Sequence, residues 1–424
     1  MLYGSGMTSH SATHRIRCSA ANAEPSSSRG ILLDRARALV PILRRDASEA
    51  DRLGRMSDAV GNELRDNGFF SLHVPRSLGG PEADLRTAFE VYAELGRGCG
   101  SSAWVAMILS GGSLMASLLD SPARQELWGD DPQAAICSQL PSVGSARRTE
   151  GGLMISGEWR PASGVRQARW AMVSVSTDEH SRETKDATLA VVPTASGLIG
   201  DTWNVAGMRA TGSDTLILEN VFVPDDRLLS FEQMTSGAYV GVHPDEPLTA
   251  STIVSALTVT VVAPLLGMGE AALDYALDSI RPVTSTAPAK SSRSRDSSSV
   301  KNLMADAASL IDTARLHAYR ALADVELGIT EKSQLDSHLK SRVHMDAGIA
   351  TKSLRESISI ILSVTGSASF SLENPIQRIW RDLEFSSTHM NIAPDRARED
   401  YGQALFSRPR EPDGVGSSSA TDPV

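Results

Sequence analysis

The chain has 424 residues, which corresponds to roughly two or three domains of ordinary size. Hydrophobic residues make up 41% of it and charged residues 22%, a composition typical of chains that fold around a large core, and one that excludes general disorder. The formal charge is -10, with 41 Lys and Arg against 51 Asp and Glu. This charge argues against nucleic acid as a partner, because such binding depends on neutralising phosphates.

The first part of the chain consists of a polar leader followed by a helical region. Residues 1–28 are rich in Ser and Ala, and we expect them to be disordered. Arg15 and Arg17 are not followed by an apolar run, so no secretory signal is predicted. Over residues 29–132 apolar residues recur at helical spacing, which predicts an N-terminal helical domain. The almost wholly apolar stretch Trp104–Leu119 predicts a buried helix within it.

The pattern changes over residues 133–235. Alternating and β-branched runs begin at Trp170, Thr188 and Thr215, and Gly, Pro and Asp residues separate them. Several short strands between turns are typical of a β-barrel or a β-sandwich. We therefore expect a central β-domain.

Helical periodicity returns over residues 245–407. Leu310–Val325 and Leu354–Thr365 each carry an apolar stripe at helical spacing, which predicts a C-terminal helical bundle. The polar segment Ser285–Val300 is expected to be a loop, and residues 408–424 a disordered tail. The fold class expected from this order of elements is a multidomain α+β protein.

The most apolar stretch of the chain is Ile253–Met268. Pro264 interrupts it, and it is short for a bilayer, so no membrane span is expected. The sequence Gly267-Met-Gly269-Glu-Ala-Ala272 matches the glycine pattern of dinucleotide-binding folds. Pro264 disfavours the strand that must precede such a motif, and no acidic residue follows at the required distance. We expect close helix packing at these small residues instead.

The remaining general motifs give no positive signal. The sequence contains no zinc-ligand spacing, nucleophile elbow, phosphate-binding loop or calcium loop, so no metal is expected. An odd and small number of widely spaced cysteines fits a reducing compartment, and we expect a cytoplasmic protein. These cysteines are Cys18, Cys99 and Cys137.

A set of short motifs, in order along residues 30–407, carries a family resemblance. The motifs are Gly68-Phe-Phe, Val74-Pro75, Gly79-Gly80, Cys99-Gly-Ser-Ser-Ala-Trp104, Gly157-Glu-Trp-Arg-Pro-Ala-Ser163-Gly164, Gly207-Met-Arg209-Ala-Thr211-Gly212-Ser213, Val221-Phe-Val-Pro224 and Pro375-Ile-Gln-Arg378-Ile-Trp-Arg381-Asp382 with His389. Together they resemble the acyl-CoA dehydrogenase superfamily. They resemble more closely its two-component, reduced-flavin-dependent monooxygenases, which include 4-hydroxyphenylacetate hydroxylases, steroid-phenol hydroxylases and amino-sugar nitrososynthases.

The resemblance implies an architecture and a set of partners. It implies an α-helical N-terminal domain, a central β-domain and a C-terminal four-helix bundle, commonly assembled as a homotetramer. It also implies reduced FMN or FAD, delivered by a separate flavin reductase, with O2 as co-substrate. In this branch reduced flavin and O2 form a C4a-hydroperoxyflavin that oxygenates a small molecule.

His389 and Met390 separate the two branches of the superfamily. Many dehydrogenases carry a Tyr-Glu pair at this point, and the Glu removes a proton from the substrate; here Met390 replaces that Glu and cannot accept a proton. Monooxygenases of this branch carry a His at the position of His389. A histidine suits a general base near neutral pH, so His389 is expected to act as a base or to orient the substrate.

The resemblance implies further flavin-binding residues. Ser163 matches the hydroxyl beside flavin N5 and is the second candidate catalytic residue, and Ser138 lies in a segment that lines the flavin ring. Two tryptophans are candidate walls, a Gly-rich loop supplies two more residues, and one arginine matches a contact to the flavin phosphate. In that order they are Trp104 and Trp203, Arg209 and Ser213, and Arg281.

The substrate side departs from the phenol hydroxylases. They carry a substrate-facing His a few residues after Trp104, and here Gly112 stands in its place, with Met115 nearby. A roomier pocket is expected, and with it hydroxylation of a bulky aromatic or a natural-product intermediate. N-oxygenation of an amino sugar, an acyl-CoA dehydrogenase activity with bound FAD, and a non-catalytic scaffold of the same fold stay open as alternatives.

Overall fold

The structure is a computed structural model, and it describes residues 27–178, 183, 186–250, 253–280 and 297–407. The first 26 residues of the expected leader, the expected tail and most of the expected polar loop lie outside the described residues. Arg281 lies outside them as well. Ser27 and Ser28, at the end of the expected leader, belong to the first helix.

Five helices form the N-terminal part. They are α1 (Ser27–Leu53), α2 (Asp58–Asp66), α3 (Leu85–Gly96), α4 (Gly100–Ala116) and α5 (Ser121–Trp128). Side-chain caps fix two of their starts: Ser57 accepts a hydrogen bond from the backbone N–H of Val60, and Asp84 accepts one from that of Thr87. α4 is buried on nearly every side, as its apolar sequence predicts.

Seven strands form one central mixed sheet. They are β1 (Ile136–Thr149), β2 (Gly152–Trp159), β3 (Trp170–Ser176), β4 (Thr188–Pro193), β5 (Leu198–Gly200), β6 (Thr215–Pro224) and β7 (Leu228–Ser230). The strand order is β5-β6-β2-β1-β3-β4-β7; β1 and β3 run parallel, and the other neighbours are antiparallel. The expected central β-region is thus present as a single sheet, and no pairing between β5 and β7 closes it within the described residues.

The C-terminal part is helical, as expected. After the short α6 (Phe231–Ser236) it contains α7 (Ile253–Ser279), α8 (Ser298–Thr330), α9 (Ser337–Thr365), α10 (Pro375–Ser386) and α11 (Pro394–Phe406). The three long helices α7, α8 and α9 pack on one another; α10 packs on α7 and α9, and α11 packs on α9. By length and composition α7 could cross a membrane, but 83% of its most apolar window is buried inside the protein, as in a core helix.

The glycines of the dinucleotide-like motif serve helix packing. A Cβ on Gly267 of α7 would lie 1.9 Å from the carbonyl oxygen of Ala93 in α3, and one on Gly269 would lie 2.6 Å from the Leu354 side chain. The contact is mutual, because a Cβ on Gly96 of α3 would lie 2.6 Å from the Pro264 carbonyl oxygen. The expectation of close helix packing at these residues is confirmed.

Candidate active site

Four segments meet at the junction of the three parts: α4, the turn after β2, the loop between β5 and β6, and the end of α10. The turn packs on α4, since a Cβ on Gly164 would lie 3.0 Å from Val105 and Leu109. The loop packs on α10 even more closely, because a Cβ on Gly207 would lie 2.2 Å from the Arg381 carbonyl oxygen. Most of the residues expected in the site lie on these four segments.

Met208 is the centre of the loop between β5 and β6. Its φ of 55° places it in the left-handed region, which is uncommon for a residue with a side chain. Its backbone N–H donates to the carboxylate of Asp382 in α10. Its carbonyl oxygen accepts from Trp203 Nε1 at 3.1 Å and from the Thr211 hydroxyl at 2.8 Å. Every backbone polar group of Met208 is therefore satisfied, and the loop conformation is fixed.

Two arginines fasten this loop to the N-terminal helices. Arg381 of α10 forms a two-point ion pair with Asp51 of α1, at 2.8 and 3.2 Å, and also donates to the Ala206 carbonyl. Arg209 donates to the backbone carbonyls of Asp51 and Val205, both at 2.7 Å. Arg209 thus links α1 to the loop through hydrogen bonds to both.

Three hydroxyl groups lead from Ser163 to the Met208 carbonyl. Ser163 Oγ lies 2.8 Å from Ser213 Oγ, and Ser213 Oγ lies 2.7 Å from Thr211 Oγ1, which donates to Met208. Ser213 and Thr211 are buried, at 1% and 2% exposure, and Ser163 is partly buried. We call Ser163, Ser213 and Thr211 the hydroxyl relay.

His389 follows the end of α10 and faces α4. Its ring stands edge-on to Trp104, with ring centroids 5.4 Å apart and planes at 77°. The backbone N–H of Asn391 donates to His389 Nδ1 at 3.4 Å, so the neutral ring carries its proton on Nε2. Burial lowers the pKa of His389 from 6.5 to about 4, because the charged form loses its hydration. The ring is therefore neutral at pH 7.

Asp382 lies behind the loop, and its pKa is shifted in the opposite direction from that of His389. Burial raises its pKa from 3.8 to about 6, while the bond from the Met208 N–H lowers it in part. The charge of Asp51 raises it further, and those of Arg378 and Arg381 lower it. Asp382 thus carries a buried carboxyl whose main task is to hold the Met208 peptide.

The structure brings several expected site residues together. Trp104, Ser163, Ser213 and His389 lie on the four converging segments, and Trp203 joins them through its bond to Met208 and an edge contact with Phe385 at 5.6 Å.

Ser138 does not lie on the four converging segments. It is in β1, opposite Met172 of β3. The next residue, Gln139, donates to the Arg160 carbonyl at 2.9 Å and so holds the turn that carries Ser163.

The substrate-side expectation needs a correction. A Cβ on Gly112 would lie 2.1 Å from the carbonyl oxygen of Ile136 in β1, so the backbone of β1 fills the space that the missing side chain leaves. Met115 is 2% exposed and packs in the core. Gly112 allows α4 to approach the sheet, and it provides no extra room for a substrate.

Sequence reasoning did not assign roles to Thr211, Asp382 or Asp51, which together hold the loop. A signal for the first two was present, because both lie inside the quoted motifs. Asp51 lies far away in sequence within α1, and only the fold brings it to Arg381. Within the described ranges, no group of three His, Cys, Asp or Glu residues could hold a metal ion.

A groove of about 630 Å³ lies elsewhere, between α9, α10 and α11. Its cations are paired with neighbouring acids: Arg355 with Glu384, Arg398 with Asp395, and Lys352 with Glu356. None of the expected site residues lines it. Its charges largely neutralise one another, so it offers no strong attraction for a charged ligand.

Comparison with known proteins identifies the family. The models described as "Acyl-CoA dehydrogenase, N-terminal domain" and "Acyl-CoA dehydrogenase, C-terminal domain" match residues 32–125 and 259–394. HsaA of Mycobacterium tuberculosis, the oxygenase subunit of a flavin-dependent monooxygenase, is 30% identical over 372 residues, which cover 88% of this chain and 94% of HsaA. The chain belongs to the acyl-CoA dehydrogenase family.

Two other family members extend this relationship. The oxygenase component of an FADH2-dependent resorcinol hydroxylase from a Rhizobium species is 26% identical, over 88% of this chain and 94% of that protein. The structure of XiaF from a Streptomyces species, in complex with FADH2 and glycerol, superposes with a TM-score of 0.83 at 29% identity, over 91% of this chain and 97% of XiaF. The expected family, its monooxygenase branch and its fold are confirmed.

The chemistry of the site fits a reduced flavin. A flavin ring needs aromatic walls and hydrogen-bonding partners at its polar edge. Trp104 and Trp203 supply aromatic surface. The lone pairs of Ser163 Oγ and the Nε2–H of His389 have no further partner among the described residues, so they are available to a ligand.

Proposed function

We propose that this protein is the oxygenase component of a two-component flavin-dependent monooxygenase that hydroxylates an aromatic substrate. The observation that carries the proposal is that a neutral His389 and the Ser163 hydroxyl both lie on the four converging segments, with no carboxylate at the position of the dehydrogenase Glu. Met390, at the position of the dehydrogenase Glu, has no proton-accepting group and is 50% exposed. When bound, reduced FMN or FAD supplies the reaction with O2 that provides the transferred oxygen atom.

The residues of the site have separate tasks in this proposal. Ser163 accepts a hydrogen bond from the flavin ring, and the two tryptophans Trp104 and Trp203 limit the space around it. His389 donates its Nε2–H to the oxygen of a phenolate substrate and so orients the ring for attack. A conjugate acid with a pKa of about 4 makes a weak base, so the orienting role is favoured over the base role.

The remaining partners follow from the relatives and from the chain itself. The relatives are named as oxygenase subunits or components, which implies a second component. We propose that it is an NAD(P)H-dependent flavin reductase, because the sequence carries no recognisable nicotinamide site. A homotetramer in the cytoplasm is the proposed working form.

The test is oxygen transfer from isotopically labelled O2. The protein is supplied with reduced FMN or FAD by an unrelated reductase, together with simple phenols such as resorcinol. We expect a hydroxylated product that contains one labelled oxygen atom, and only when both the protein and reduced flavin are present. Purified protein with tightly bound oxidised FAD that is reduced by an acyl-CoA would contradict the proposal. Labelled product from an amine alone would redirect it to N-oxygenation.

A further inference from the structure

The hydroxyl relay has only one consistent direction of hydrogen bonding. Each hydroxyl has a single proton to donate, and the carbonyl of Met208 can only accept. The Thr211 hydroxyl therefore donates its proton to the Met208 carbonyl oxygen, at 2.8 Å. Ser213, 2.7 Å from Thr211, must then donate to Thr211, and Ser163, 2.8 Å from Ser213, must donate to Ser213. The proton of Ser163 consequently points into the protein.

In this direction Ser163 offers a ligand only its lone pairs, because its proton is donated to Ser213. We propose that Thr211 and Ser213 are positioning residues that fix Ser163 as a hydrogen-bond acceptor, so that the site favours a flavin whose N5 carries a hydrogen over an oxidised flavin. The inference rests on the proposed function, in which Ser163 faces the flavin. Reduced flavin has an N5–H group that donates to Ser163, whereas N5 of oxidised flavin is itself an acceptor and faces a second acceptor.

The surroundings of the relay resist its reversal. For Ser163 to donate to oxidised flavin while every contact of the relay stays hydrogen-bonded, Ser213 would have to donate to Ser163, and Thr211 to Ser213. The Met208 carbonyl would then lose the hydrogen bond from the Thr211 hydroxyl, its shortest at 2.8 Å, and keep those from Trp203 Nε1 and from the Thr211 backbone N–H at 3.2 Å. Both Ser213 and Thr211 are at most 2% exposed, so water does not replace the lost bond. The Met208 peptide cannot turn away either, because Asp382 and Trp203 hold it from both sides.

The preference has a direct use in a two-component system. Reduced flavin must be taken up from a separate reductase, and oxidised flavin is the form that must leave after turnover. A site that holds an N5–H flavin more tightly captures the first and releases the second. The relay thus favours uptake of reduced flavin and release of oxidised flavin.

The test measures the dissociation constants of reduced FMN, under anaerobic conditions, and of oxidised FMN, and repeats both measurements with FAD. The proteins are the wild type and the variants Thr211→Val, Thr211→Ser and Ser213→Ala. Ser145→Ala is the matched control, since Ser145 Oγ donates to the Ser156 carbonyl in the sheet, outside the relay. Circular dichroism establishes that each variant is folded.

We expect the wild type, Thr211→Ser and Ser145→Ala to bind reduced FMN more tightly than oxidised FMN. In Thr211→Val and in Ser213→Ala this ratio should fall about tenfold, roughly the effect of one hydrogen bond, because Ser163 can then donate as well as accept. An unchanged ratio in both folded variants would overturn the relay proposal and leave the proposed function intact. A wild type that binds neither form of FMN or FAD would overturn both.

Discussion

The two sides of the site differ in how their polar groups are satisfied. On the Ser163 side, Ser213 and Thr211 are buried and bonded through to the Met208 carbonyl. On the other side, the ring of His389 accepts one long hydrogen bond at 3.4 Å and has an edge contact with Trp104. A closed network suits a ligand that is the same in every turnover, such as a flavin. A neutral and under-bonded group suits a substrate that brings the missing partner.

The largest effect is expected at Gly112, because α4 carries Trp104 and backs the turn of Ser163. Gly112→Ala would place Cβ 2.1 Å from the Ile136 carbonyl oxygen, in a backbone that cannot move aside easily. We expect the free energy of unfolding, measured in urea, to fall by at least about 3 kcal/mol.

Gly111→Ala is the matched control for this effect. Its Cβ would lie 3.0 Å from the flexible end of the Leu257 side chain, and the better helix propensity of Ala offsets the crowding by about 0.5–1 kcal/mol. We expect almost no change in the free energy of unfolding. Equal losses in the two variants would show that α4 is not fixed against β1 as described.

The second effect concerns pH, because the pKa of His389 and the pKa of Asp382 are shifted in opposite directions. The pKa of His389 is lowered from 6.5 to about 4, so its contribution to stability is present above pH 6.5 and is lost as the pH falls toward 4. The pKa of Asp382 is raised from 3.8 to about 6, so its contribution is present below pH 3.8 and is lost as the pH rises toward 6. Each is worth up to about 3 kcal/mol.

Single variants separate these two contributions. Relative to the wild type, His389→Gln should make the unfolding free energy fall with pH between 4 and 6, and Asp382→Asn should make it rise. His73, whose pKa is also lowered to about 4 by burial, is present in all three proteins and cancels in the differences. Shifts of the same sign in the two variants would contradict the assignment of either group.

The third effect separates the two roles of His389. His389→Ala should lower kcat/KM about 100-fold, because the substrate oxygen loses its donor. His389→Gln places an amide N–H near the former Nε2 and should lose about tenfold or less. A general base predicts equal losses, since neither Ala nor Gln accepts a proton. The pH profile between 5 and 8 should lack a step from His389.

The smallest effect concerns the edge contact between Trp104 and His389. Trp104→Leu should lower kcat/KM about fivefold, in line with the ~1 kcal/mol of an aromatic pair. Trp104→Phe keeps an aromatic edge and should stay within about twofold of the wild type. If Leu and Phe behave alike, the ring of Trp104 does not position His389.

The sequence predicts the order of the elements because their periodicities are local properties. Apolar spacing predicts α4 and α7, and alternation predicts the strands. Alternation does not decide whether the sheet closes, because closure depends on pairing between distant strands. Gly112 is an instructive error. A missing side chain suggests space in a sequence, whereas here the carbonyl of Ile136 occupies it, 24 positions further along the chain. The hydrogen bond that Met208 donates to Asp382 joins residues 174 positions apart, so it also depends on the fold.

The most direct test of the central claim, that the protein handles reduced flavin as an oxygenase, is a rapid-mixing experiment. Protein with anaerobically reduced FMN or FAD is mixed with oxygenated buffer, and the absorbance of oxidised flavin is followed over time. We predict that oxidised flavin forms much later than from free reduced flavin, and that a substrate shortens the delay. Formation of oxidised flavin at the rate of free flavin, with no change on adding any phenol, would contradict the account.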